Sequence, residues 1–265
     1  MRAFRSNGCL RVASKSELND DLVITDESDV ETAVERCSYR IVQVHEAVRN
    51  AVEGKWDAPI FQRGFIWKPR QLRDLADSLY RDYPIGSLLL WEDPVARSKY
   101  WVADGQHRLI SLCLLFGATP FWWRRRHAKA YDYALAIDPC ASDPFHSTPF
   151  ATNAADEAGS RLVRLAELLN LDLDSQEGRR GLNQIVNRVT RAGVSMVANP
   201  KVVRTRLLDV WRIRKKPVMV AVLRHKTESE VLEVFERLNS GGMRFRRLLL
   251  RLIASQLRFR RGSSI

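Results

Sequence analysis

The sequence predicts an α+β protein, with a mixed sheet at its core, flanking helices and a mainly helical second half. Three observations carry that expectation. Short apolar runs, "SLLLWE", "YWVA" and "KPVMVAVLRH", have the length and composition of strands. Longer segments between them repeat their apolar residues every three to four positions, the spacing of one helix face. No internal repeat appears, so these elements belong to one layered core.

Taken in order, residues 1–38 are polar and mixed in charge ("SKSELNDDLVITDESDVETAVER") and predict a flexible N-terminal arm. From "YRIVQVHEAVRNAVEGKW" the pattern is helical, with Ile41, Val44, Val48, Ala51 and Val52 on one face and Gly54 as a stop. "APIFQ" reads as a short strand. Pro69 suits the first turn of a helix whose apolar positions are Leu72, Leu75, Ala76 and Leu79. "SLLLWE" and "YWVA" follow as strands, and a helix runs from Gln106 to Phe116. "YDYALAID" and "KPVMVAVLRH" are further strands, separated by the loop "STPFATNAADEAGS" and by helices near 160–170, 179–192 and 200–213. The chain closes on a helix in "ESEVLEVFERLNSGG", stopped at Asn239 and two glycines, and on an arginine-rich helix over about 244–259. Residues 39–140 are thus expected to form the α+β core, and 141–265 a mainly helical part with one returning strand and a truncated C-terminus.

Composition bounds the function. Lysine and arginine number 43 against 31 acids, a formal charge of +12, which favours polyanions such as nucleic acid or nucleotide phosphates. Cys9, Cys37, Cys113 and Cys140 form no C-x-x-C pair, so a reduced, cytoplasmic protein without structural zinc is expected. "LISLCLLFGATPFWW" is too short for a membrane span and is interrupted by Gly117 and Pro120. No membrane partner is expected.

The chemistry concentrates in "YWVADGQHRLISLCLLFG". A strand ending at Asp104 and Gly105 and turning into a helix leaves backbone N–H groups without intrahelical acceptors, at the positive end of the helix dipole. That is an anion site in outline. Asp104 is expected to cap the helix, and Gly105 to admit a ligand closely. Arg108 in the first turn is a misplaced cation, costing about 0.3–1 kcal/mol. It has two readings: an anion held by guanidinium and backbone together, or an internal partner such as Asp74, Asp77 or Asp82. Upstream, "IFQRGFIWKPRQLRDL" sets Gln62 and Arg63 at a strand end, and ends of neighbouring strands converge on one edge of a sheet.

With "FQRGFIWKPRQLRDLADSLYRDYPIGSLLLWE", "VADGQHRLISL" and "EVFERLNSGG" in this order, the chain resembles the N-terminal domain family of the GmrSD-type restriction endonucleases, from about Ile41 to Gly242. That family's fold is related to the ParB and sulfiredoxin superfamily. The resemblance implies nucleoside triphosphate binding and hydrolysis at Gln62 and Arg63 and at the signature Asp104, Gly105, Gln106, His107, Arg108. It also implies a part in restricting phage or modified DNA. His107 stands where the family usually has a second glutamine, a variant shared with related families, some linked to DNA phosphorothioation. Family members that cut DNA usually carry a further nuclease of the His-Asn-His type. No matching cluster occurs among His45, His127, His146 and His225, so the nuclease is expected in another domain or subunit.

Within that resemblance, phosphoryl chemistry assigns roles. Arg108 and Arg63 are the expected phosphate clamps, and Asp104 the group that orients a magnesium ion or water. Gln62 and Gln106 are expected to fix phosphates or orient water. Asn239 either closes the site or caps its own helix. "FWWRRRHAK" reads as a turn anchored by Trp122 or as a nucleic-acid surface. "MRFRRLLLRLIASQLRFRR" is an amphipathic basic helix able to face DNA, a partner helix or a membrane surface. The alternative function is a non-catalytic ParB-like module that binds DNA or regulates transcription.

Overall fold

The computed structural model describes residues 37–58, 67–124, 135–141, 143–145, 161–192 and 199–239. Its first element corrects the sequence reading. Cys37–Gln43 is strand β1, and only Val44–Val52 is helix α1. Tyr39 and Ile41 face outward while Val42 is buried, the two-residue alternation of a strand paired on one side. Helical spacing fitted Ile41 to Val44 and Val48 by coincidence. Within α1, Val44, Val48 and Ala51 are buried as expected, Ala47 joins them, and Val52 is only half-buried.

Strand β2 is Trp56–Asp57, one step before the predicted "APIFQ", whose Ile60, Phe61 and Gln62 lie outside the described residues. Helix α2, Pro69–Tyr80, starts on proline, and the Gln71 side chain accepts a hydrogen bond from the Lys68 N–H at 2.9 Å. Leu72, Leu75, Ala76 and Leu79 are its buried residues, the face the spacing predicts. Strands β3 (Leu88–Glu92) and β4 (Tyr100–Asp104) and helix α3 (Gln106–Leu115) follow. From Leu109 to Leu115 every residue of α3 is buried, as befits the central helix of the core. Helix α4 is the short turn Phe121–Arg124, which buries Trp122 and Trp123.

The second half contributes the two-residue ladder β5 (Ala136–Ile137) with β6 (Val163–Arg164). Helices α5 (Leu165–Leu169), α6 (Gln176–Ala192) and α7 (Pro200–Trp211) come next. Asn199 caps α7, its Oδ1 accepting from the Lys201 N–H at 2.9 Å. Leu171 ties the exit of α5 to the end of α7, its carbonyl accepting from Trp211 Nε1 at 2.9 Å. The predicted arginine-rich helix over 244–259 lies outside the described residues.

The returning strand, β7 (Pro217–Leu223), enters the middle of the sheet, whose order is β1-β7-β3-β4-β2. It runs antiparallel to β1 and parallel to β3, so the sheet is mixed and its two sequence halves are inseparable. Helix α8, Glu228–Asn239, covers part of the outer face through Val231 on Leu89, Ala103 and Leu223. The α+β class with a mixed sheet is therefore observed.

Candidate functional site

The site begins where β4 ends. Asp104 closes the strand, and Gly105 occupies the N-cap position of α3 with φ +87°. The capping role predicted for Asp104 is corrected here: no side chain caps α3, and a left-handed residue makes the turn. That conformation costs an L-residue about 1–2 kcal/mol, which glycine escapes. The N–H groups of Gln106, His107 and Arg108 precede the first intrahelical bond, Leu109 N–H to the Gly105 carbonyl at 3.0 Å.

Arg108 is held beside those donors. Its Nη2 donates to Asp104 Oδ2 at 3.3 Å and its Nη1 to the Ile85 carbonyl at 3.2 Å. The partners proposed from sequence are engaged elsewhere, Asp77 with Arg81, Asp82 with Lys216 and Asp74 beside Arg70 and Arg73. The internal partner is instead the adjacent strand end, four residues back along the chain. A guanidinium carries five N–H donors. Two are engaged among the described residues, and the side chain stays 20% exposed. Asp104 is 34% exposed, and its second oxygen has no partner among the described residues.

Two neighbours complete the arrangement, and the sequence reading missed both. Gly86, with φ +80°, lies under Arg108 so closely that a methyl group there would collide with Nη1. The signal was the glycine of "YPIG", between the Pro69 helix and the strand "SLLLWE". Trp67 stacks on His107, with ring centroids 6.1 Å apart and planes 25° from parallel. It sits four residues after Arg63 in the same motif, so the stack brings one residue of the first motif against the second. Gln62 and Arg63 themselves lie outside the described residues. Asn239 is the last residue of α8, which packs on Ala103 beside Asp104.

One prediction arises directly. Gly86→Ala is expected to lower stability by about 1–2 kcal/mol through its left-handed backbone and to displace the Arg108 guanidinium. In an Arg108→Ala background the substitution should cost less, which a double-mutant cycle of urea midpoints measures. Equal cost in both backgrounds would show that Gly86 does not carry the arginine.

The donor set also bears on a metal. Among the described residues no three His, Cys, Asp or Glu side chains converge. A lone carboxylate does not cage a cation, but it fits magnesium that arrives with phosphate oxygens and water. Asp104 is the residue that would hold such an ion, which would neutralise phosphate charge when bound.

No described helix is long and apolar enough to cross a membrane. No curated protein matches the chain. The family model described as the GmrSD restriction endonuclease N-terminal domain matches residues 44–248, from the start of α1 through the Trp67 motif and Asp104–Arg108 to beyond α8. The chain therefore belongs to the N-terminal domain family of the GmrSD restriction endonucleases, a family of restriction-system domains.

Proposed function

We propose that this domain binds a nucleoside triphosphate at the start of α3. In this reading it acts as the nucleotide-responsive, regulatory part of a restriction system directed at phage or modified DNA. A nuclease domain or subunit does the cutting. The observation that carries the reading is Arg108, fixed by Asp104, Ile85 and Gly86 beside the uncapped N–H groups of α3. Backbone donors beside a planar cation suit phosphate oxygens. The same reading assigns Arg63 and Gln62, which precede Trp67 in its motif, to the phosphates as well. Gln106 adds an amide, and Asn239, the last residue of α8, is assigned to the same site.

Calorimetric titration with each nucleoside triphosphate, with and without magnesium, tests this. Saturable binding that magnesium strengthens is expected. Absence of binding by every triphosphate, with DNA binding retained, would assign the domain to the ParB-like DNA-binding class instead. The Asp104–Arg108 pair would then only fasten the strand to the helix.

Turnover is tested at His107. A neutral imidazole can accept a hydrogen bond from water, whereas its protonated form can only donate. Phosphate release is expected to fall with pH once the imidazole takes up a proton, while binding persists. His107→Gln should remove that dependence and keep or raise turnover. Identical flat profiles would exclude a titrating role for His107, and no release from either protein would leave a binding switch.

A further inference from the structure

The sheet curls until its outermost strands face each other. Arg40, on the inner face of β1, lies over the rings of both Tyr100 and Trp56, at 5.1 Å and 5.8 Å from their centroids. These belong to β4 and β2, three and four strands away in the sheet order. Its Nε is buried without a hydrogen-bond partner, and no acid pairs with it among the described residues. Stacking on two rings compensates a guanidinium without neutralising it.

A second arginine stands next to it. Arg224 donates from Nη1 to Ser38 Oγ at 3.1 Å, and its Nε lies 3.6 Å from Glu92 Oε1. Ser38 is two residues from Arg40 on the same face of β1, and Glu92 is the cross-strand partner of Tyr100. Arg40, Arg224 and Glu92 therefore form one corner with two positive charges and one negative. That balance matches a single phosphodiester better than a doubly charged phosphate monoester. The rings are committed to the guanidinium, since Trp56 is only 1% exposed, so nothing is left for a base to stack on. Along β4 this corner lies at the Tyr100 end, about 13 Å from Asp104 at the rise of a strand.

We infer that the Arg40–Arg224 corner is a second anion site, separate from the α3 start, and that it takes a backbone phosphate of duplex DNA. The inference rests on the reading that the domain works at DNA, which the charge of +12 supports. A rigid fork held ready by stacking pairs with phosphate oxygens at little ordering cost.

The test is fluorescence anisotropy of a labelled duplex with the full chain between 50 and 200 mM salt, about the range over which phosphate contacts are most visible. Arg40→Gln and Arg224→Gln are each expected to weaken binding about tenfold at the lowest salt. Each should also reduce the slope of log K against log salt by about 0.9, the counterion release of one lost contact. Triphosphate binding should stay unchanged in both. Arg70→Gln, which removes an exposed helix arginine, is the control for net charge. If it weakens binding as much as Arg40→Gln, or if Arg40→Gln changes nothing, the site does not exist. Should Arg40→Gln fail to fold, Arg224→Gln and Arg40→Lys decide, the lysine being expected to keep the salt slope and lose affinity. Displacement of the duplex by inorganic phosphate at matched ionic strength would assign the corner to a free anion, and preference for RNA would likewise overturn it. Failure of the wild type to bind DNA would remove this site and the DNA reading together, while the triphosphate titration stands or falls separately.

Discussion

Replacing Arg108 by alanine is expected to weaken triphosphate binding at least about a hundredfold, because it removes two charge-assisted hydrogen bonds worth about 1.5–3 kcal/mol each. The fold should survive. The Asp104 ion pair is partly exposed on both sides and joins residues four apart, so its loss costs little. The Ile85 carbonyl loses one donor at the edge of the site. Arg108→Lys is expected to recover part of the affinity, keeping the charge but not the planar fork. Calorimetry on the folded variants measures this. Unchanged affinity in a folded Arg108→Ala protein would end the proposed function, and loss of folding would make Arg108 an internal strut.

The largest effect on stability is expected at Lys99. Its ammonium lies 3.0 Å from Asp57 Oδ2, and the Asp57 carboxylate is only 4% exposed. Strand β2 has just two residues, paired to Tyr100 and Trp101, so this ion pair bolts the last strand to the sheet. Lys99→Met would strand a buried charge. The expected cost is about 3 kcal/mol, the low end of the range for breaking a buried pair, because Lys99 is itself 31% exposed. Asp57→Asn in the same background should restore most of it, since Oδ1 still accepts from the Ala58 N–H. The shift in urea midpoint reads both. A loss below about 1 kcal/mol, typical of an exposed pair, would show that water screens the charge. Because Gln62 and Arg63 follow β2 closely in sequence, the single variant is also expected to weaken triphosphate binding.

Helices with strong local signals were legible. Pro69 with Leu72, Leu75, Ala76 and Leu79 marked α2, and "ADGQHR" marked the turn from β4 into α3. The motif residues Asp104 to Arg108 could be named because they are contiguous, so the chain itself keeps them together. Strand β1 was not legible, since its buried Val42 is followed directly by the apolar face of α1. Trp67 and Gly86 were overlooked for a related reason. Each looks like an ordinary core or turn residue until its partner, 40 or 22 positions away, is known.

By itself, then, the sequence determined what one or two helical turns can decide: where α2 and α3 begin, which face α2 buries, and the family motifs. Only the tertiary structure decided which groups those residues meet. Arg108 turned to Asp104 and Ile85 and not to the acids of α2, and β7 entered between β1 and β3. The curl of the sheet carried Arg40 to Trp56 and Tyr100. Helix periodicity is written in neighbouring residues, whereas the partners of a long cationic side chain depend on strand order and sheet curvature, which arise from contacts distributed over the whole core.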